Sequence, residues 1–224
     1  MDREDAGRNR VRNGILVLVL LSCAIALLAF AGDRAVLAQG EPWAEPIVIS
    51  APPGFSWFPD LAVDELGSLH VVWCLTIPLE KRRGLQEQVS YAVWNGESWS
   101  EPNDIVPPSP DIVRNAIDTD LAGNVHLLFG GSVYDDGLAL YHRRAPIGEA
   151  GSAMAWSTPH RINQGTSYMG DMAVDSRGVI HVVYDDTLRY SDEDELAVAD
   201  IFYRRSADGG RTWSAPVSLN PTLP

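Results

Sequence analysis

The chain has 224 residues, 46% of them hydrophobic, and a formal net charge of −13. That length suits one large domain or two small ones, and the apolar and aromatic content excludes a disordered chain. Residues 1–38 carry +1 and the remainder −14, so the main body repels nucleic acid and anionic lipid, and no nucleic-acid partner is expected.

The first predicted element is an export signal. Residues 15–31, ILVLVLLSCAIALLAFA, hold no charge, follow Arg8, Arg10 and Arg12, and precede two small-residue cleavage options, Ala29-Phe30-Ala31 and Val36-Leu37-Ala38. Such a run acts either as a cleaved signal peptide or as an uncleaved N-terminal anchor. In both cases the basic flank stays inside and residues 39–224 are exported, so the protein is expected to be secreted or membrane-anchored, touching membrane only through residues 1–38. Cys23 resembles part of a lipoprotein box, but apolar residues run past it. Only Cys74 remains after cleavage, so the exported part has no intrachain disulfide and depends on packing.

From residue 39 onward the sequence repeats. The pattern D-x-x-G-x-φ-H, where φ stands for an apolar residue, occurs at Asp64–His70, Asp120–His126 and Asp175–His181, at offsets of 56 and 55. A second marker, tryptophan three residues before proline, occurs at Trp43, Trp99, Trp156 and Trp213 with nearly the same period. Within a copy, short β-branched and aromatic runs alternate with turn residues: in the last, 171–174, 179–184, 201–205 and 212–219 are predicted strands. Four strands per repeat of about 56 residues predict an all-β propeller with three four-stranded blades, at about 51–106, 107–163 and 164–219. A β-sandwich would not explain that period. Residues 43–50 repeat the fourth-strand sequence without a blade of their own, and three blades fall short of about four. The ring is therefore expected to be incomplete, so that either further repeats follow or chains self-associate.

Between the last two strands stands Ser206-Ala207-Asp208-Gly209-Gly210-Arg211-Thr212-Trp213. It matches S-x-D-x-G-x-T-W and is similar to the Asp-box, or BNR repeat, of the sialidase superfamily. Ser206, Asp208, Gly210, Thr212 and Trp213 are expected to be structural: the carboxylate caps its own turn, the glycine takes positive φ, and the indole packs beneath the hairpin. Copy one has Asn95-Gly96 there, which suits a type I′ hairpin, and copy two has a longer connection over 145–155.

In such a blade the second-to-third loops, here 75–88, 130–137 and 185–200, emerge on one face and are predicted to be irregular. First strands begin near that face. The resemblance implies arginines for a substrate carboxylate, a tyrosine nucleophile and an aspartate acid/base, for which Asp60, Arg114, Tyr168 and Asp171 are the candidates by residue type and face. Arg161 lies in His160-Arg161-Ile162-Asn163, which departs at both ends from the family's Phe/Tyr-Arg-Ile-Pro motif. Asp60 and Asp171 also occupy equivalent repeat positions, which favours a structural role. His70, His126 and His181 recur in register and are read as packing or hydrogen-bonding residues, so no metal site is assigned. Asp192–Glu195 lacks calcium-loop spacing and reads as a solvated acidic run. No cofactor is expected. The reading is an exported propeller that binds glycan or another surface ligand; the alternatives are an exo-sialidase or related glycoside hydrolase, of which this is part, and a structural cell-surface module.

Overall fold

The computed structural model describes residues 45–50, 54–78, 85–106, 108–134, 137–191 and 196–220. The signal or anchor over 1–38, Trp43, the basic run at Lys81 and the acidic run at Asp192 lie outside the described residues. The chain divides into Met1–Ile47 and Val48–Pro224, and every described strand belongs to the second unit.

Twelve strands form three antiparallel sheets, each taken in chain order. The first blade holds β1 (Phe55–Val63), β2 (Leu69–Pro78), β3 (Leu85–Trp94) and β4 (Asn103–Asp104). The second holds β5 (Ile112–Thr119), β6 (Asn124–Gly131), β7 (Ala139–Pro146) and β8 (His160–Arg161). The third holds β9 (Gly170–Val174), β10 (Ile180–Ser191), β11 (Leu196–Ser206) and β12 (Val217–Ser218). Among the described residues there is no α-helix, only 3-10 turns at Ile147–Glu149 and Ala153–Ala155. The fold is the expected all-β propeller of four-stranded blades, and its ring is open.

The repeated D-x-x-G turn explains why each blade forms. Asp64 Oδ1 accepts the N–H groups of Leu66 and Ser68 at 2.9 and 2.8 Å, and Gly67 takes φ +84° to turn the chain. Its other oxygen accepts from His70 Nε2 at 3.3 Å, and His70 Nδ1 then accepts from the Tyr91 hydroxyl at 2.6 Å. The relay recurs as Asp120, His126 and His142, at 3.0 and 3.1 Å. In the third blade it is Asp175, His181 and Tyr203, at 3.4 and 2.8 Å. Burial would raise the Asp64 carboxyl, but the Ser68 N–H and the His70 ring hold it below the usual range. The three histidines thus tie the first turn to the third strand.

Alternation along β2 sends Val72 and Cys74 toward the second blade and Trp73 and Leu75 to the opposite side, where they pack with Ile49. Ile49 sits on the first blade as the corresponding Ile105 and Ile162 sit within the cores that join the blades. Burial pushes the Cys74 thiol up to about 12, leaving it a packing residue.

Carboxylates and arginines stitch neighbouring blades. Asp60 Oδ2 accepts the Ile117 N–H at 2.8 Å, and Asp118 Oδ2 accepts the Val174 N–H at 2.6 Å. Arg143 donates to the Ile105 carbonyl one blade back, and Arg204 to the Ile162 carbonyl. The two arginines occupy equivalent repeat positions, whereas Asp118 lies two residues beyond the position equivalent to Asp60, which is Ala116.

Two expectations are corrected. The second-to-third connections are mostly extended hairpin rather than irregular loop: β10 and β11 stay paired from Ile180↔Ser206 out to Ser191↔Leu196, and β2 and β3 out to Pro78↔Leu85. Alternating side chains with few prolines carry the ladder outward. The Asn95-Gly96 turn is not type I′, because Gly96 has φ +97° but Asn95 has no positive φ. Instead Asn95 Oδ1 accepts the N–H groups of Glu97 and Ser98, both at 2.9 Å.

Candidate functional site

At one mouth each blade exposes, among others, a side chain on or just before its first strand. The three are Phe58, Arg114 and Met169, each two residues before the equivalent positions Asp60, Ala116 and Asp171. Bulges set the aim of the first two: the register slips between Trp57 and Asp60 in β1 and between Ile112 and Arg114 in β5.

Phe58 has φ +49°, the one non-glycine residue with positive φ among those described. A phenylalanine there costs about 1–2 kcal/mol and persists only where its surroundings hold it. Asn115 does so, donating from Nδ2 to the Phe58 carbonyl at 2.9 Å. The Arg114 guanidinium lies 5.1 Å from the centre of the Phe58 ring, a cation–π contact, and no hydrogen bond from it to another described residue is formed. Asn115 is buried, and its Oδ1 has no hydrogen-bond partner among the described residues. Behind them the chain reaching β9 is fixed by Asp185, whose Oδ1 accepts from Ser167 Oγ, Tyr168 N and Met169 N at 3.0, 3.0 and 2.8 Å. The resulting cleft, about 730 Å³, is lined by Phe58, Asp60, Arg114, Asn115, Met169 and Asp171, among others.

Of the sequence candidates, Asp60, Arg114 and Asp171 line this cleft, while Tyr168 is exposed next to it and outside its lining. Both oxygens of Asp60 are occupied, one by its neighbour Leu61 N and one by Ile117 N. It is a clasp between blades. Among the described residues Asp171 accepts only the Met172 N–H, on Oδ1. Arg161 donates to the carbonyls of Asn163, Gln164 and Gly165 and so shapes the crossover into the third blade.

The Asp208 turn closes on itself. Its carboxylate accepts from Ser206 Oγ, Arg211 N, Thr212 N and Thr212 Oγ1 at 2.6–3.0 Å, and Gly209 and Gly210 take φ +70° and +83°. The Thr212 hydroxyl, ahead of its N–H and Ser206, holds this carboxyl well below the usual range. Trp213 packs edge-on to His142 at 5.3 Å rather than on its own hairpin alone.

Phe58 and Met169 were missed in the sequence, although counting two residues back from Asp60 and Asp171 finds both. The Phe58 backbone and the orphaned Asn115 oxygen depend on a bulge that no residue pattern announces.

No known protein family matches the chain by sequence, and no curated protein does. Solved structures are similar in fold. One is a protein of unknown function from Dyadobacter fermentans, 17% identical with a TM-score of 0.53, over 74% of this chain and 55% of that one. Another is an ulvan lyase of a new polysaccharide lyase family, bound to a saccharide of glucuronic acid and sulphated rhamnose, 13% identical with a TM-score of 0.50, over 75% of this chain and 45% of that one. The chain spans about half the length of these structures, and at such identities the likeness is one of fold: an all-β, propeller-like arrangement.

Proposed function

We propose that this chain is an exported, sialidase-like propeller segment that binds a glycan at the mouth formed by Phe58, Arg114 and Asn115. One observation carries the reading: a buried acceptor, Asn115 Oδ1, has no partner among the described residues and stands beside an aromatic face and an arginine. Sugar rings match that set, since their C–H faces lie on aromatic rings and their hydroxyls both donate and accept. An orphaned buried acceptor costs about 1–3 kcal/mol, which a ligand hydroxyl would recover. The ulvan lyase of similar fold is bound to a saccharide, in line with this ligand class. The arginine-rich start and the apolar run over 15–31 support export.

Binding is favoured over hydrolysis because each oxygen of Asp60 already accepts a backbone N–H, one of them from the next blade, which ties this carboxylate to a structural task. The test is calorimetric titration of neutral and acidic oligosaccharides into the wild type, Phe58→Ala and Arg114→Ala. The reading expects binding that weakens at least tenfold in both variants; a wild type that binds none of them, or variants that bind as well, overturns it.

A further inference from the structure

We propose that Phe55 and Trp57 form a second saccharide subsite beside the mouth, so that the ligand is a linear oligosaccharide whose further units run out along β1. This rests on the reading of the mouth as a glycan site and extends it.

The two rings are exposed on a face that already has its neighbour. Trp57 stands opposite Cys74 and Phe55 opposite Thr76 across the β1–β2 ladder, and partners across a ladder share a face. It is the face Cys74 turns to the second blade, where its thiol meets the Ile112 carbonyl at 3.3 Å. With that blade in place, Phe55 is still 58% exposed and Trp57 51%. Neither ring lines the cleft, and neither belongs to a core cluster among the described residues.

Register ties the pair to the mouth. Cys74 and Gly130 each stand four residues after the histidine of their blade. Trp57 is opposite the first as Arg114 is opposite the second. Trp57 thus holds in the first blade the rung that Arg114 holds in the second. The bulge between Trp57 and Asp60 adds Phe58 at the same rim, where its ring meets the Arg114 guanidinium. Phe55, Trp57 and Phe58 therefore make one aromatic run leading out of the cleft.

The geometry of the run suits a sugar chain. The Phe55 and Trp57 rings have centres 6.3 Å apart and planes 31° from parallel. That spacing is close to the repeat of sugar rings along an oligosaccharide, and near-parallel planes offer faces to the C–H surfaces of two successive units. Contiguous exposed apolar surface beside a ligand cleft marks a binding surface. A saccharide fits it better than an anionic membrane, which the −14 charge of residues 39–224 repels.

The test is calorimetric titration of the full chain, in a sugar-free detergent, with oligogalacturonides and cello-oligosaccharides of one to five units. In a series that binds, affinity is expected to rise at least tenfold from one unit to three and then to level off. Phe55→Ala and Trp57→Ala should each lower the affinity for the three-unit member at least tenfold and that for the single unit less than threefold. Trp57→Phe, which keeps a stacking ring, should retain most of the affinity. Met154→Asp, at an exposed site in the Ala153–Ala155 turn, is the control and should bind every length as the wild type does. Affinity that does not change with length, or alanine variants that bind the three-unit member as the wild type does, overturns the subsite, leaves the rings to a lipid or protein contact, and lets the mouth reading stand. An equal loss at every length, which a damaged fold would give, also overturns it. A wild type that binds no member of either series overturns both the subsite and the mouth reading.

Discussion

Gly210 lies against the imidazole of His142, with no room between them for even a methyl group. The glycine turn of the third blade is therefore seated on the Asp120–His126–His142 relay of the second. Gly210→Ala meets two penalties, a positive φ that a Cβ disfavours and an overlap with a ring 2% exposed. Urea unfolding is expected to show a loss of about 2–4 kcal/mol. His142→Ala in the same chain should return part of it, and a strictly additive double mutant would show that the two residues do not meet.

The His126–His142 pair makes stability depend on pH. Burial first, then His126, His160 and Arg144, push His142 down to about 3, and burial also lowers His126. His142 is neutral in the folded protein and takes up a proton on unfolding once the pH falls below about 6.5, and the lowering of His126 acts in the same direction. The His142 contribution is thus full above about 6.5 and is lost as pH falls toward about 3, at about 1.4 kcal/mol per pH unit per proton. Denaturation midpoints between pH 7.5 and 4.5 should fall accordingly. In His142→Gln the slope should flatten by about one proton; an unchanged slope would remove His142 as its source.

Arg143 joins the blades without a carboxylate partner among the described residues. It is 6% exposed and donates to the carbonyls of Ile105, Trp156 and Ser157. Arg143→Ala strands two buried acceptors and a half-buried one, and is expected to cost about 3 kcal/mol or more. Arg143→Lys should recover less than half, since an ammonium cannot reproduce the planar fork. Arg204→Ala should cost less, because its surroundings are only partly buried. Equal losses at the two sites would contradict the burial argument.

The blade was legible in the sequence because its turn chemistry repeats: Asp64, Asp120 and Asp175 each sit six residues before a histidine, and backbone and side chain use that spacing together. Less legible was what each histidine meets. Tyr91 and Tyr141 look alike in the sequence, yet the pairing His70↔Val93 and His126↔Arg144 aligns Tyr91 with His142. A one-residue difference in register moves a side chain to the other face. The mouth was half legible: Asp60, Arg114 and Asp171 line it, but Tyr168 does not. Phe58 enters through a bulge, which inserts a residue without any mark in the period.

The central claim, a saccharide-binding mouth without hydrolysis, is tested most directly by following turnover of a fluorogenic sialoside beside binding of unlabelled acidic oligosaccharide in the same preparation. The wild type is expected to bind the oligosaccharide and to release fluorophore no faster than buffer, with binding reduced at least tenfold in Phe58→Ala and Arg114→Ala. Asp60→Asn and Asp171→Asn should leave that background rate unchanged. Turnover well above buffer that disappears in Asp60→Asn or Asp171→Asn, with folding intact, would contradict the claim and make the chain part of a glycoside hydrolase.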